Sequence, residues 1–266
     1  LINVPVMLIL LIATVLLVPE FKAARRGRFD LISAAVLVTT LLLAVFALKD
    51  AAEHGWGTQH ALWFLASVVL GTVFVLRQQR LAEPLIEVSL FQSLPFSTAV
   101  LANLAGVFAM TALLYYLPQY LQSVLGKSPL QAGLWALPIA AGAVCGSMLA
   151  ASLMRLLRPG WLIGGGLGLA ALGYLTVAQL GLELDGLLAF SGGLLIGTGV
   201  GIADTLSNDI IVATAPADRA GAAVGISETA YELGGALGTA TLGAIGTSLY
   251  RQDVTAAIPA NTPPDI

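Results

Sequence analysis

Four acidic residues, Asp204, Asp209, Glu228 and Glu232, lie in the most apolar part of this chain, and no Lys or Arg shares their apolar segments. A carboxylate near the centre of a bilayer costs roughly 2.5–3.5 kcal/mol on insertion scales, so such residues tend to mark ion paths, proton relays or cation sites. Glu228 and Glu232 are four residues apart, which stacks them on one helix face, one turn apart. Counted from the start of their segment near Gly221, Glu232 lies about 16 Å in and Glu228 about 10 Å in. That puts Glu232 near the middle of a hydrocarbon core roughly 30 Å thick. Two carboxylates so placed repel each other and resist joint ionisation. Such a pair can take up and release a proton, or exchange it for a cation. Asp204 and Asp209 are five apart and point about 140° away from each other. Asp204 is the deeper, and Asp209 sits toward the cytoplasmic end. A buried carboxylate is normally paired. These four must be protonated, hydrogen-bonded, or partnered by something that comes and goes.

The elements that must carry them are membrane helices. The chain has 266 residues, 58% hydrophobic and 10% charged, with a mean hydropathy of +0.90. A soluble domain carries about 25% charge. Eight apolar segments are expected, at about 1–18, 31–48, 60–76, 95–117, 130–153, 161–180, 187–214 and 221–249, with a polar, extended tail over 250–266. The fold class is an all-α polytopic membrane protein. The chain opens at Leu1 with no Met, no charged n-region and no cleavage site, so residues 1–18 are not read as a signal peptide. It reads as the middle of a longer protein.

Orientation follows from the basic residues. Lys22, Arg25, Arg26, Arg28, Arg77, Arg80, Arg155, Arg158 and Arg219 fall in alternate loops, and Lys49, Lys127 and Arg251 in the others. The first set marks the cytoplasmic side and leaves the tail outside. Trp56, Trp63 and Trp161 read as interfacial aromatics. Asp30 and Asp218 read as helix N-caps. The cluster from Lys22 to Arg28 is a topology signal that also suits lipid headgroups.

Asn103, Thr111, Tyr115, Tyr116, Gln119 and Gln122 are further polar residues within spans. With Phe108, Met110 and Tyr231 they are candidates to line an aromatic cavity for organic cations. Helix-to-helix hydrogen bonding is the plainer role for each. Gly193, Gly197 and Gly201 recur every four residues, as do Gly221 and Gly225, then Gly234 and Gly238. Such faces let helix backbones approach closely. Gly164, Gly165 and Gly166 are not followed by the Lys-Ser/Thr of a phosphate loop, so nucleotide binding is not expected. The spans hold no His, and the lone Cys145 excludes a cysteine cluster. No metal, cofactor, nucleic-acid partner or enzymatic role is therefore expected. The readings left open are ion-coupled transport and, behind it, a membrane-embedded enzyme or a non-transporting scaffold or sensor.

The stretch 116–138, YLPQYLQSVLGKSPLQAGLWALP, resembles the linking loop and flanking helices of the fourteen-span drug:proton antiporters of the major facilitator superfamily. The stretch 216–235, PADRAGAAVGISETAYELGG, resembles the quaternary-ammonium and multidrug exporters among them. The opening LINVP is similar to the start of that family's sixth span. The resemblance implies a partial major facilitator bundle of about eight spans in the inner membrane. Residues 1–18 would be the sixth span, and 19–94 a basic loop with two inserted spans. Residues 95–249 would be five spans of the C-terminal half, and 250–266 an external tail. The N-terminal half and last helix of the same protein would be its partners. The resemblance further implies proton-driven export of amphipathic or cationic drugs, with Glu228 and Glu232 at positions implicated in protons or cationic drugs and Asp209 at a commonly acidic position. Membrane lipids and protons are the other implied partners. The stretch 142–145 is apolar where some relatives are acidic, so the substrate range does not carry over. Export of an endogenous metabolite is the alternative.

Overall fold

The computed structural model describes residues 3–17, 30–55, 57–81, 84–181, 185–216 and 219–257. Trp56, Asp218 and the basic cluster from Lys22 to Arg28 lie outside them. Eight α-helices occupy the eight expected segments: α1 (Asn3–Leu17), α2 (Leu31–His54), α3 (Thr58–Arg80), α4 (Leu94–Gln119), α5 (Pro129–Leu153), α6 (Pro159–Val177), α7 (Gly186–Thr214) and α8 (Ala220–Ala257). There is no strand among the described residues. Six of these helices, α2 to α7, are long and apolar enough to cross a membrane. The described part of α1 is shorter, and α8 is diluted by Gly, Thr and its two glutamates. One expectation fails locally. The tail was expected to be extended from residue 250, yet α8 continues to Ala257. Tyr250 to Ala257 contain neither Pro nor Gly, so nothing in the local sequence stops the helix before Pro259.

The helix ends follow local chemistry. Asp30 caps α2, its Oδ1 accepting from the amides of Ile32 at 3.1 Å and Ser33 at 3.2 Å. Ser128 and Gln131 form a reciprocal capping box at the start of α5. Asp185 caps α7 through Leu187 and Leu188. Pro118, which lacks an N–H, lies just before a π-helical turn over Tyr120–Val124 that closes α4.

Helix α7 is the hub. Its Gly197 and Gly201 lie against the backbone of α5, where an added Cβ would run into the carbonyls of Ile139 and Ala143. Its Gly192 and Gly199 lie against α6 in the same way, meeting Gly173 and Gly166. The pattern of every fourth glycine reveals the first face and misses the second. Gly234 and Gly238 bring α8 onto Leu104 and Phe108 of α4. Gly221 and Gly225 meet nothing within 4 Å. The buried apolar residues form two clusters that share α4 and α7, one closed by α8 around Phe96 and Ile211, the other by α5 and α6 around Ala150 and Leu206.

Helices α2 and α3 form a hairpin that packs on α8 through α2. Arg77 of α3 holds Asp30 with Nη2 at 2.9 Å from Oδ2, and its Nε donates to the Ser33 hydroxyl at 3.0 Å. Gln78 Nε2 donates to the same hydroxyl, and Gln78 Oε1 accepts from the amides of Leu85 and Ile86. Arg219, just before α8, pairs with Glu87 in that same loop. The Ser33 hydroxyl, ahead of its amide and Arg77, holds the Asp30 carboxyl below its ordinary value near 3.8, against the opposing effect of burial. A depressed carboxyl gives its full stabilisation above the unfolded value and loses it as pH falls through the lower folded value. Asp30→Asn is therefore expected to lower the melting temperature at neutral pH. The gap to wild type should begin to narrow below about pH 3.8 and vanish below the lower folded value. Paired melting curves across pH check this, and a gap that persists unchanged in acid would contradict it.

Candidate functional site

The polar residues of α7 sit where its glycine faces end. Thr205 donates to Ser147 of α5 at 3.0 Å, so that side of the helix is tied to packing. Asp204 and Asn208, one turn apart, form a different face, toward α4 and α8. Asn103 of α4 donates from Nδ2 to Asp204 Oδ1 at 3.2 Å. Asn208 donates to the same oxygen at 3.3 Å and to the Asp204 backbone carbonyl at 3.0 Å. Ser227 of α8 donates to Asn208 Oδ1 at 2.7 Å. One carboxylate thus ties three helices together through neutral partners.

Asn103 and Asp204 border a cavity of about 130 Å³ between α4, α7 and α8. Gly106, Met110, Thr111, Val200 and Tyr231 also line it. Asp204 is half-buried, whereas Asn103 is 2% exposed. The Asn103 side-chain carbonyl has no hydrogen-bond partner among the described residues. No Lys or Arg occurs on α4 to α7, and none on α8 before Arg251.

The structure sorts the candidate residues. Asp204, Asn103, Met110 and Tyr231 meet at one cavity, and Glu228 is exposed and does not line it. Glu232 and Asp209 are exposed and do not line it. Tyr115 borders a separate groove between α2, α4 and α8. Gln119 is exposed at the end of α4. The Tyr116 hydroxyl sits within 2.8 Å of the carbonyls of both Leu242 and Gly243, and its ring stacks edge-on against Tyr115. That contact clamps α4 to α8. Tyr116→Phe is expected to cost about 1 kcal/mol of stability while leaving the activity of the folded protein within twofold. A melting curve and an export assay on the same preparation check both halves. Sequence reasoning did not single out Asn208 and Ser227. Their signal was present, since Asn208 lies four residues after Asp204 and Ser227 directly precedes Glu228.

The family model described as Major Facilitator Superfamily matches residues 1–239. The chain belongs to the major facilitator superfamily. It is a multi-pass protein of the inner membrane. Among its superfamily relatives, the multidrug efflux pump LfrA of Mycolicibacterium smegmatis is 38% identical over 265 residues, covering 100% of this chain and 52% of that protein. The tetracenomycin C resistance and export protein of Streptomyces glaucescens is 32% identical over 248 residues, covering 92% of the chain and 46% of the relative. The methyl viologen resistance protein SmvA of Salmonella typhimurium is 29% identical over 248 residues, 91% of the chain and 49% of the relative. The chain spans about half the length of these curated relatives.

Proposed function

We propose that this chain is part of a proton-coupled exporter of amphipathic or cationic small molecules, working by alternating access rather than by catalysis. The observation that carries this reading is Asp204. It is a half-buried carboxylate held by two neutral amides, beside a cavity, with no Lys or Arg among the described residues to balance it. A group so placed changes charge by trading a proton or a cation, which is what coupling requires. Glu228, Glu232 and Asp209 supply further carboxylates. The drug-resistance names of several relatives support a drug as cargo. A second reading, export of an endogenous metabolite on the same machinery, is favoured by the relatives named for tetracenomycin C and actinorhodin. The cargo is small-molecule in either case, with protons and membrane lipids as the other partners.

The test uses the full-length protein in inverted membrane vesicles. Energised vesicles should take up ethidium, and an uncoupler should stop the uptake at once. Uptake that persists after the proton gradient collapses would overturn proton coupling. Transport of a polycyclic acid metabolite but not of ethidium would favour the second reading.

A further inference from the structure

Helices inserted between two moving halves can follow either one, and the way α2 and α3 are attached decides which. The segment joining α3 to α4 is not an ordinary exposed loop. Its Leu90 is buried in the apolar cluster with Phe96 of α4, Ile211 of α7 and Ala223 of α8, and Ile86 packs against the same cluster. The backbone of that segment is also held from the hairpin. Gln78 of α3, 2% exposed, accepts from the amides of Leu85 at 2.7 Å and Ile86 at 3.1 Å, and donates to the Ser33 hydroxyl of α2 at 2.8 Å. One buried side chain thus joins α2, α3 and the segment, and its loss would leave two partly buried amides unpaired. Glu87 carries the connection on to the start of α8 through its ion pair with Arg219.

The hairpin meets α8 a second time. Its α2 packs on α8, where Val45 and Lys49 share a groove with Ala236, Thr239 and Ala240. The stretch of α8 from Arg219 to Ala240 spans about 30 Å. A body held at one point can pivot about it. Held at two points so far apart on one helix, it moves only by breaking or sliding both contacts, and the directional bonds of Gln78 resist sliding. Relative motion is the default between units that share a small interface, but here the joining segment is part of the core itself. We propose that the α2–α3 hairpin moves as one body with α4 to α8 during transport, locked at the arginine-bearing end of the bundle by Gln78, Glu87 and Arg219. The joint between the moving bodies then lies ahead of Asp30. The motion rests on the alternating-access reading above, and the lock does not.

The experiment uses the purified full-length protein in detergent, with Cys145 and any other cysteine replaced. Spin labels go on Leu76→Cys of α3 and Trp161→Cys of α6, both at exposed positions. A second labelled protein pairs Leu76→Cys with a cysteine in the N-terminal half. Pulsed dipolar distances are compared at acid and alkaline pH, with and without ethidium. The distance between positions 76 and 161 should stay within about 2 Å throughout, while the distance to the N-terminal half changes by more. A larger shift between 76 and 161 overturns the proposal and leaves the proposed function intact. If neither distance changes, alternating access loses its support and the variants decide the lock. Gln78→Ala and Glu87→Arg should each broaden the distribution between 76 and 161, and adding Arg219→Glu to Glu87→Arg should narrow it again. A distribution unchanged in both single variants overturns the lock. A protein whose distances behave as expected yet exports nothing keeps the proposal and loses the proposed function.

Discussion

Asp204→Asn is expected to abolish gradient-driven export, by on the order of 100-fold or more, in a protein that still folds. The substitution is nearly isosteric. Asn103 and Asn208 can still donate to the remaining side-chain oxygen, so the junction of α4, α7 and α8 stays assembled. The change removes only the group that can gain and lose charge. Ethidium uptake into energised inverted vesicles, scaled to the amount of inserted protein, measures the effect. The matching Glu232→Gln variant gives scale, because Glu232 is exposed and lies off the cavity. If Asp204→Asn exports within twofold of wild type while Glu232→Gln does not, the coupling role belongs to α8 and the Asp204 network is structural. Asp204→Glu retains the charge but adds a methylene to a tight site, so it should keep a fraction of the activity.

The second large effect is on stability. Gly201→Ala should destabilise the bundle by about 3 kcal/mol, and Gly201→Val by more. An added Cβ there meets the Ala143 backbone of α5, and at Gly199 it meets Gly166 and Ala170 of α6. A side chain can rotate out of the way, whereas a backbone carbonyl moves only with its helix. The change must therefore separate α7 from α5. Gly164→Ala and Gly168→Ala are the controls, since nothing lies within 4 Å of either added Cβ. They should be neutral or slightly stabilising, because Ala favours a helix over Gly by up to about 1 kcal/mol. Melting temperatures in detergent and the monodisperse fraction on size exclusion test the contrast. A Gly201→Ala protein as stable as Gly168→Ala would sink the argument.

These two predictions stand at opposite ends of what could be read early. The glycine faces of α7 and α8 were partly visible as a repeat, because close helix crossing demands small residues at fixed spacing. The second face, Gly192 and Gly199 toward α6, was hidden because a glycine-rich helix carries several overlapping spacings. Only its neighbours decide which are used. The candidate site was legible as residue types and not as an assembly. Glu228 and Glu232 stood out by their regular spacing, yet both are exposed. Asp204 has no acidic partner at that spacing, and it is the carboxylate with a built environment. Tyr116 shows the same limit. Its ring suited a cavity, but its hydroxyl is engaged by two carbonyls of α8.

The sequence by itself determined the medium, the helices and the family. Apolar runs of bilayer length have few alternatives in lipid, where each backbone polar group must be satisfied within its own segment. Local signals such as Asp30 and Ser128 then set helix starts. What only the tertiary structure decided is which polar side chains meet. Asn103 and Asp204 are 101 residues apart, and no local rule relates them. Their contact comes from the packing of α4 on α7, with α8 drawn onto α4 at Gly234 and Gly238. Side-chain chemistry is written residue by residue, but the distance between two side chains is set by the packing of all the helices that carry them.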